Sequence, residues 1–121
     1  MADQDPSTSS LDEGKGPKAG DESDKRITHY LRMLSDDDSA NRWKAAESLG
    51  RLKDPRGTDP LIDALFDDDD RVRKKVAWAL GEIGDQRALA PLRQLYRIEK
   101  EDQRDVIEEA IARIKQEKSG Q

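Results

Sequence analysis

The sequence predicts an all-α chain: a short α-solenoid of three stacked helical hairpins behind a disordered acidic tail. Three observations carry this reading. Apolar residues recur at spacings of three and four, with no period-two alternation long enough to argue for strands. The pattern returns every 31 residues, which aligns Pro60 with Pro91 and Arg42 with Arg73 and Arg104. Proline and glycine then punctuate the copies, notably at Pro55, Gly57 and Gly84.

The best-formed copy is Asp70 to Asp85. Val72, Val76, Ala79, Leu80 and Ile83 share one helical stripe, and Gly84 stands where a left-handed cap is wanted, which glycine enters without a Cβ penalty. One period earlier, Ala45, Ser48, Leu49, Gly50 and Leu52 fill equivalent slots; one period later, Ile107, Ala110, Ile111, Ala112 and Ile114 do so. The repeats span about residues 26–57, 58–88 and 89–117 of a domain covering 25–118.

In chain order, residues 1–24 are rich in Asp, Ser, Gly, Lys and Pro, with Leu11 the only large aliphatic residue after Met1. Such a segment buries too little apolar area to offset its ordering entropy, so disorder is expected. From Lys25, Ile27, Tyr30, Leu31 and Leu34 mark a first helix, stopped by Ser35–Ser39. A second helix follows to Leu52, with Asp38 or Ser39 as N-cap. Unit two opens on Asp59 as N-cap with Pro60 in the first turn, carries Leu61, Ile62, Leu65 and Phe66, and breaks at Asp67–Asp70. Unit three repeats the plan with Pro91, Leu92, Leu95 and Tyr96, then a helix from about Asp102 to Glu117. Val106, Ile107 and Ile114 read as an exposed end stripe through which two copies could self-associate.

Composition narrows the function. At 33% hydrophobic and 40% charged, the 121-residue chain has little material for a compact globule, whereas a stack buries only a narrow stripe per unit. Cysteine is absent, which removes disulfide, zinc-thiolate and thiol chemistry and fits a cytoplasmic setting. Neither a signal peptide nor a membrane-spanning run is visible. The net charge of −5 lies wholly in residues 1–24, with seven acidic against two basic side chains; residues 25–121 hold 20 of each. A balanced domain argues against nucleic acid as the partner, despite the Arg71, Arg73, Lys74, Lys75 run.

Catalysis finds no support. His29 is the only histidine, and no phosphate-binding glycine loop is present. The Asp36–Asp38 and Asp67–Asp70 runs lack the staggered ligands and glycine of a calcium loop and read as helix caps. No metal and no cofactor are expected.

The sequence Val72-Arg73, Ala77, Ala79-Leu-Gly-Glu-Ile-Gly-Asp85, Ala88, Pro91-Leu92 resembles a HEAT repeat of the short, phycobilisome-lyase-like class. Ala46-Glu-Ser-Leu-Gly50 with Asp54-Pro-Arg56 resembles it well, while Asn41, Gln103 and Ala112 depart from the pattern. The resemblance implies a right-handed solenoid, with second helices on the concave face and first helices on the convex face. It also implies an inter-repeat ladder of Arg42, Arg73 and Arg104 with Asp54 and Asp85. The lyases that name the class attach bilins to phycobiliproteins and are longer chains. Hydroxylases built from such repeats use paired His-Glu motifs, which are missing from this sequence.

With Val72 at zero and about 100° per residue, Trp78 falls opposite the apolar stripe, beside Arg71, Lys74, Lys75 and Glu82. Trp43 and Glu47 take the corresponding slots of unit one. A large aromatic ringed by charges has the composition of an interface hot spot. The expected function is therefore a non-enzymatic protein–protein interaction module, with Trp43, Trp78, Arg71, Lys74, Lys75, Glu47 and Glu82 as partner-binding residues. The competing reading of the tryptophans is packing across the repeat junction. The rival functions are an accessory subunit or bilin-lyase-like maturation factor and, less favoured, a nucleic-acid-binding solenoid.

Overall fold

Among the described residues six helices follow one another in hairpin pairs: α1 Lys15–Met33, α2 Ser39–Leu52, α3 Thr58–Ala64, α4 Asp70–Ile83, α5 Leu89–Ile98 and α6 Arg104–Ser119. The computed structural model describes the backbone of residues 15–119 and the side chains of residues 22–116. Among the described residues all regular structure is helical, and single 3₁₀ turns at Pro55–Gly57, Gln86–Ala88 and Glu101–Gln103 join or precede helices.

Helix starts follow local chemistry. The Asp38 carboxylate accepts from the Ala40 amide and that of Asp69 from the Arg71 amide, so each aspartate caps a helix N-terminus. Asp54 and Asp85 cap the 3₁₀ turns in the same way, through the amides of Arg56 and Arg87. Asp59 does not cap α3. That helix begins at Thr58 because the preceding 3₁₀ turn runs straight into it, which leaves Asp59 and Pro60 within the first turn. Helix ends use the left-handed region twice: Gly84 closes α4 at φ 77°, and Lys53 closes α2 at φ 53°. Helix α1 starts ten residues ahead of Lys25. The expected disordered tail thus meets helix at residues 15–24, while residues 1–14 lie outside the described residues.

The core is one continuous column. Ile27 and Leu34, then Ala45 and Leu49, then Leu61, Leu65, Val72, Val76 and Leu80, then Leu92, Leu95, Ile107 and Ile114 are all buried within it. Ile107 and Ile114 therefore do not form the exposed end stripe expected of them, because α5 folds back over α6 and covers both. Val106 is half-buried on the other side of α6.

The dominant contacts between units run from α2 to α4 and from α4 to α6, whereas the first helices touch their counterparts little. A stack held tightly along one row and loosely along the other bends toward the tight row, so α2, α4 and α6 line the concave side. Glycine sets that tightness. A Cβ built on Gly81 would lie 2.8 Å from the Ala110 Cα, and one on Gly50 would lie 2.5 Å from the Trp78 ring and 3.0 Å from the Ala79 Cα. Unit three has Ala112 in this slot, on an exposed face where no helix presses.

Gly81→Ala adds helix propensity worth about 1 kcal/mol yet should destabilise the chain by about 1–3 kcal/mol, because the obstacle is backbone and cannot rotate away. Urea unfolding checks this. A variant as stable as the parent would show that α4 and α6 are not in contact at this point.

Candidate functional site

The inter-repeat ladder forms, but with partners other than those expected. Arg42 Nε and Nη2 donate to the Asp67 carboxylate at 2.7 and 3.0 Å, and its Nη1 donates to the Asp36 and Asp37 carbonyls at 2.9 Å each. Arg73 repeats this one unit on, donating to both oxygens of Glu99 at 2.8 and 3.1 Å and to the Asp67 carbonyl at 2.7 Å. Each arginine thus holds the loop of its own hairpin through carbonyls and the loop of the next through a carboxylate. Arg104 keeps only the first half: its Nε donates to the Tyr96 carbonyl at 3.0 Å and its guanidinium lies over the Tyr96 ring.

Asp54 and Asp85 belong to a separate ladder at the opposite end of the hairpins. Asp54 pairs with Arg56, which reaches back to Asp24 of α1; Asp85 pairs with Arg87, which reaches back to Asp59 of α3. The reason is reach, since Asp54 and Asp85 follow the second helices whereas Arg42, Arg73 and Arg104 stand at their starts. These carboxylates titrate low. Hydrogen bonds from the Arg87 side chain outweigh desolvation and, with the Arg87 amide, hold Asp85 at about 2. The fully buried Thr58 hydroxyl also lies near enough to lower it, though outside hydrogen-bonding geometry. Asp67 is lowered too: its burial pushes the other way, but Arg42 and the Asp69 amide prevail.

On the concave side the two tryptophans meet over one lysine. The Lys75 ammonium sits 4.6 Å from the Trp43 ring centroid and 4.6 Å from that of Trp78. Each contact is electrostatically favourable, worth about 0.5–2 kcal/mol depending on desolvation. Trp78 is half-buried with its ring against Gly50, and Trp43 is half-buried one turn from the start of α2. Trp78 of α4 thus packs against α2 at Gly50, and Trp43 of α2 meets α4 through Lys75. They also line open space. A hollow of about 370 Å³ is bounded by Trp43, Arg71, Lys74, Lys75, Trp78 and Val106. A second, of about 340 Å³, is bounded by Ser39, Ala40, Trp43, Lys44, Asp69, Arg71 and Val72. Trp43 and Arg71 are common to both, so the two hollows lie side by side along one concave groove.

Five of the seven expected partner-binding residues, Trp43, Arg71, Lys74, Lys75 and Trp78, meet at this groove. The other two are committed elsewhere. Glu82 is bridged by Lys53 at 3.7 Å and by Arg113 at 3.2 Å, which ties three units together. Glu47 accepts from Arg51 at 2.6 Å, a bond that lowers its pKa ahead of the smaller attraction of Lys75. Sequence reasoning missed Val106 as a wall of the groove, although it stands one period after Lys75. Among the described residues no group of three His, Cys, Asp or Glu side chains converges as a metal site, and no helix is long and apolar enough to cross a membrane.

This architecture defines the class: an α-solenoid of helical hairpins, tight along its second helices. Residues 27–112 match the HEAT-repeat family, and the chain belongs to it. Among solved structures, human deoxyhypusine hydroxylase in complex with glycerol is similar, at 26% identity and a TM-score of 0.69 over 78% of this chain. The chain spans 33% of that enzyme's length. No curated protein matches.

The Asp85 shift has a stability consequence. Its folded-state value lies below the ordinary carboxylate range, so its contribution is complete above about pH 4 and is lost as pH falls through about 2. With Arg87 half-exposed, that contribution should be about 1 kcal/mol. The stability gap between the parent and Asp85→Asn, read from urea midpoints, should be widest near neutrality and shrink by about half at pH 3. A pH-independent gap would contradict the assignment.

Proposed function

We propose that this chain is a non-enzymatic protein-interaction module that binds a partner protein in the concave groove around Trp43, Lys75 and Trp78. The observation that carries the proposal is the convergence of the chain's only two tryptophans, from two different repeats, on one lysine beside open space. Aromatic side chains at a partly desolvated centre with charges around them are where binding energy concentrates. HEAT repeats serve generally as interaction and scaffold modules, which supports the same reading. Self-association through an end stripe loses its basis, since Ile107 and Ile114 belong to the core.

A second reading rests on the enzymatic neighbour: the module would serve as an accessory subunit or maturation factor, supplying a binding surface while a partner supplies the chemistry. The groove is the docking face in both readings, and the identity of the captured partner separates them.

Affinity capture on the full chain tests the proposal, with Trp78→Ala and Lys74→Glu as controls. Lys74 is exposed and outside the core, so Lys74→Glu leaves folding intact even where Trp78→Ala does not. Partner recovery should fall about tenfold with Lys74→Glu, equivalent to about 1.4 kcal/mol. Recovery undiminished by both substitutions would place the binding face elsewhere.

A further inference from the structure

The charge of the groove points beyond its aromatic centre. Lys44, Arg71, Lys74 and Lys75 all border it. Among the described residues, no ion pair within 4 Å uses the ammonium of Lys44, Lys74 or Lys75. Arg71 meets Asp69 through Nε and Nη2, and its Nη1 makes no hydrogen bond among the described residues. Of the carboxylates beside the patch, Asp69 and Glu47 are engaged by Arg71 and Arg51, while Asp70, one helical turn before Lys74, makes no ion pair within 4 Å among the described residues. One period further on, Asp102 and Asp105 replace Arg71 and Lys74, and Val106 replaces Lys75. The cationic character is thus confined to units one and two and ends sharply at unit three.

The aromatic pair also excludes one kind of ligand. Two indoles facing a common point form a cation site, and Lys75 fills it from within the chain. An incoming lysine or arginine would have to displace Lys75 in the field of Arg71, Lys74 and Lys44. An incoming carboxylate meets the reverse situation. Lys75 is held between two rings, so it gives up little further freedom on pairing with a ligand. Beside it, the hollow of about 340 Å³ takes a mainly apolar surface from Trp43, Ala40 and Val72, is lined as well by Ser39, Lys44, Asp69 and Arg71, and accepts one large side chain.

Resting on the concave-face reading above, we infer that the groove selects an acidic peptide segment carrying one large apolar anchor. Its carboxylates pair with Lys44, Lys74 and Lys75, and its anchor fills the hollow beside Trp43. Charge complementarity supplies selectivity and the anchor supplies affinity. Nucleic acid offers negative charge as well, but its phosphates repeat along a continuous strand. The patch here is short, with Asp102 and Asp105 at the corresponding positions of the next repeat, which suits a few carboxylates and not a long polyanion.

The test is selection of random short peptides on the full chain, followed by binding of the enriched sequences measured through tryptophan fluorescence. The expected result is enrichment of peptides with net negative charge and an aromatic or leucine residue. Their binding should weaken about tenfold or more in Lys44→Glu/Lys74→Glu and also weaken as salt is raised. Enrichment of neutral or basic peptides that still depend on Trp43 and Lys74 would overturn this inference while leaving concave-face binding intact. Enriched peptides indifferent to those residues would overturn both. Displacement of the acidic peptides by a single-stranded oligonucleotide at equal concentration would show a polyanion site and also overturn the inference.

Discussion

The close approach of the second helices at Gly50 and Gly81 is the constraint on which the rest depends. Backbone reaches backbone there, so α2, α4 and α6 lie nearer to one another than the first helices can, and the stack must curve. The Trp78 ring occupies the space above Gly50 that a side chain would have taken. With Trp78 seated there, Lys75, three residues earlier on α4, is brought between it and Trp43 of the preceding unit. Fold and groove therefore have one cause. The same glycine that sets the repeat spacing creates the seat of the groove's central aromatic.

Two rows of ion pairs hold this geometry from either end of the hairpins. Arg42 and Arg73 tie successive loops at the starts of the second helices, each through a bidentate carboxylate pair that is largely shielded from water. Asp54–Arg56 and Asp85–Arg87 tie the opposite end of each second helix to the first helix of the same hairpin. Exposed pairs of this second kind stabilise little individually. The buried first row has a stronger claim, because removing either partner strands a desolvated charge. Between the two rows the concave surface is left to side chains that the fold does not need for pairing, namely Lys44, Lys74 and Lys75.

Much of the fold was legible because helical periodicity and the 31-residue interval are local properties of a string. Val72, Val76, Leu80 and Leu49 are buried as their spacing requires, and α2 and α4 begin and end where capping chemistry places them. What escaped depends on separations the string does not display. Glu99 meets Arg73 across 26 residues, and no local motif marks it as the acceptor. Asp59 looked like a cap because an aspartate–proline pair often is one, but the 3₁₀ turn ahead of it had already started the helix. The helical wheel placed Trp78 opposite the core stripe, and it does border open space. The wheel could not reveal that Gly50 of the neighbouring helix would half-bury it, nor that Glu82 would be drawn into pairs with Lys53 and Arg113.

Helix contact at Gly50 seats Trp78, and this seat clamps Lys75 against Trp43. Ring-current shifts test it most directly. In the proton NMR spectrum of the full chain, the Lys75 side-chain methylenes should lie well upfield of those of Lys74, which faces solvent. In Gly50→Ala, which keeps both tryptophans, that displacement should collapse. Lys75 resonances at ordinary positions in the parent, or an upfield shift that survives Gly50→Ala unchanged, would contradict the account.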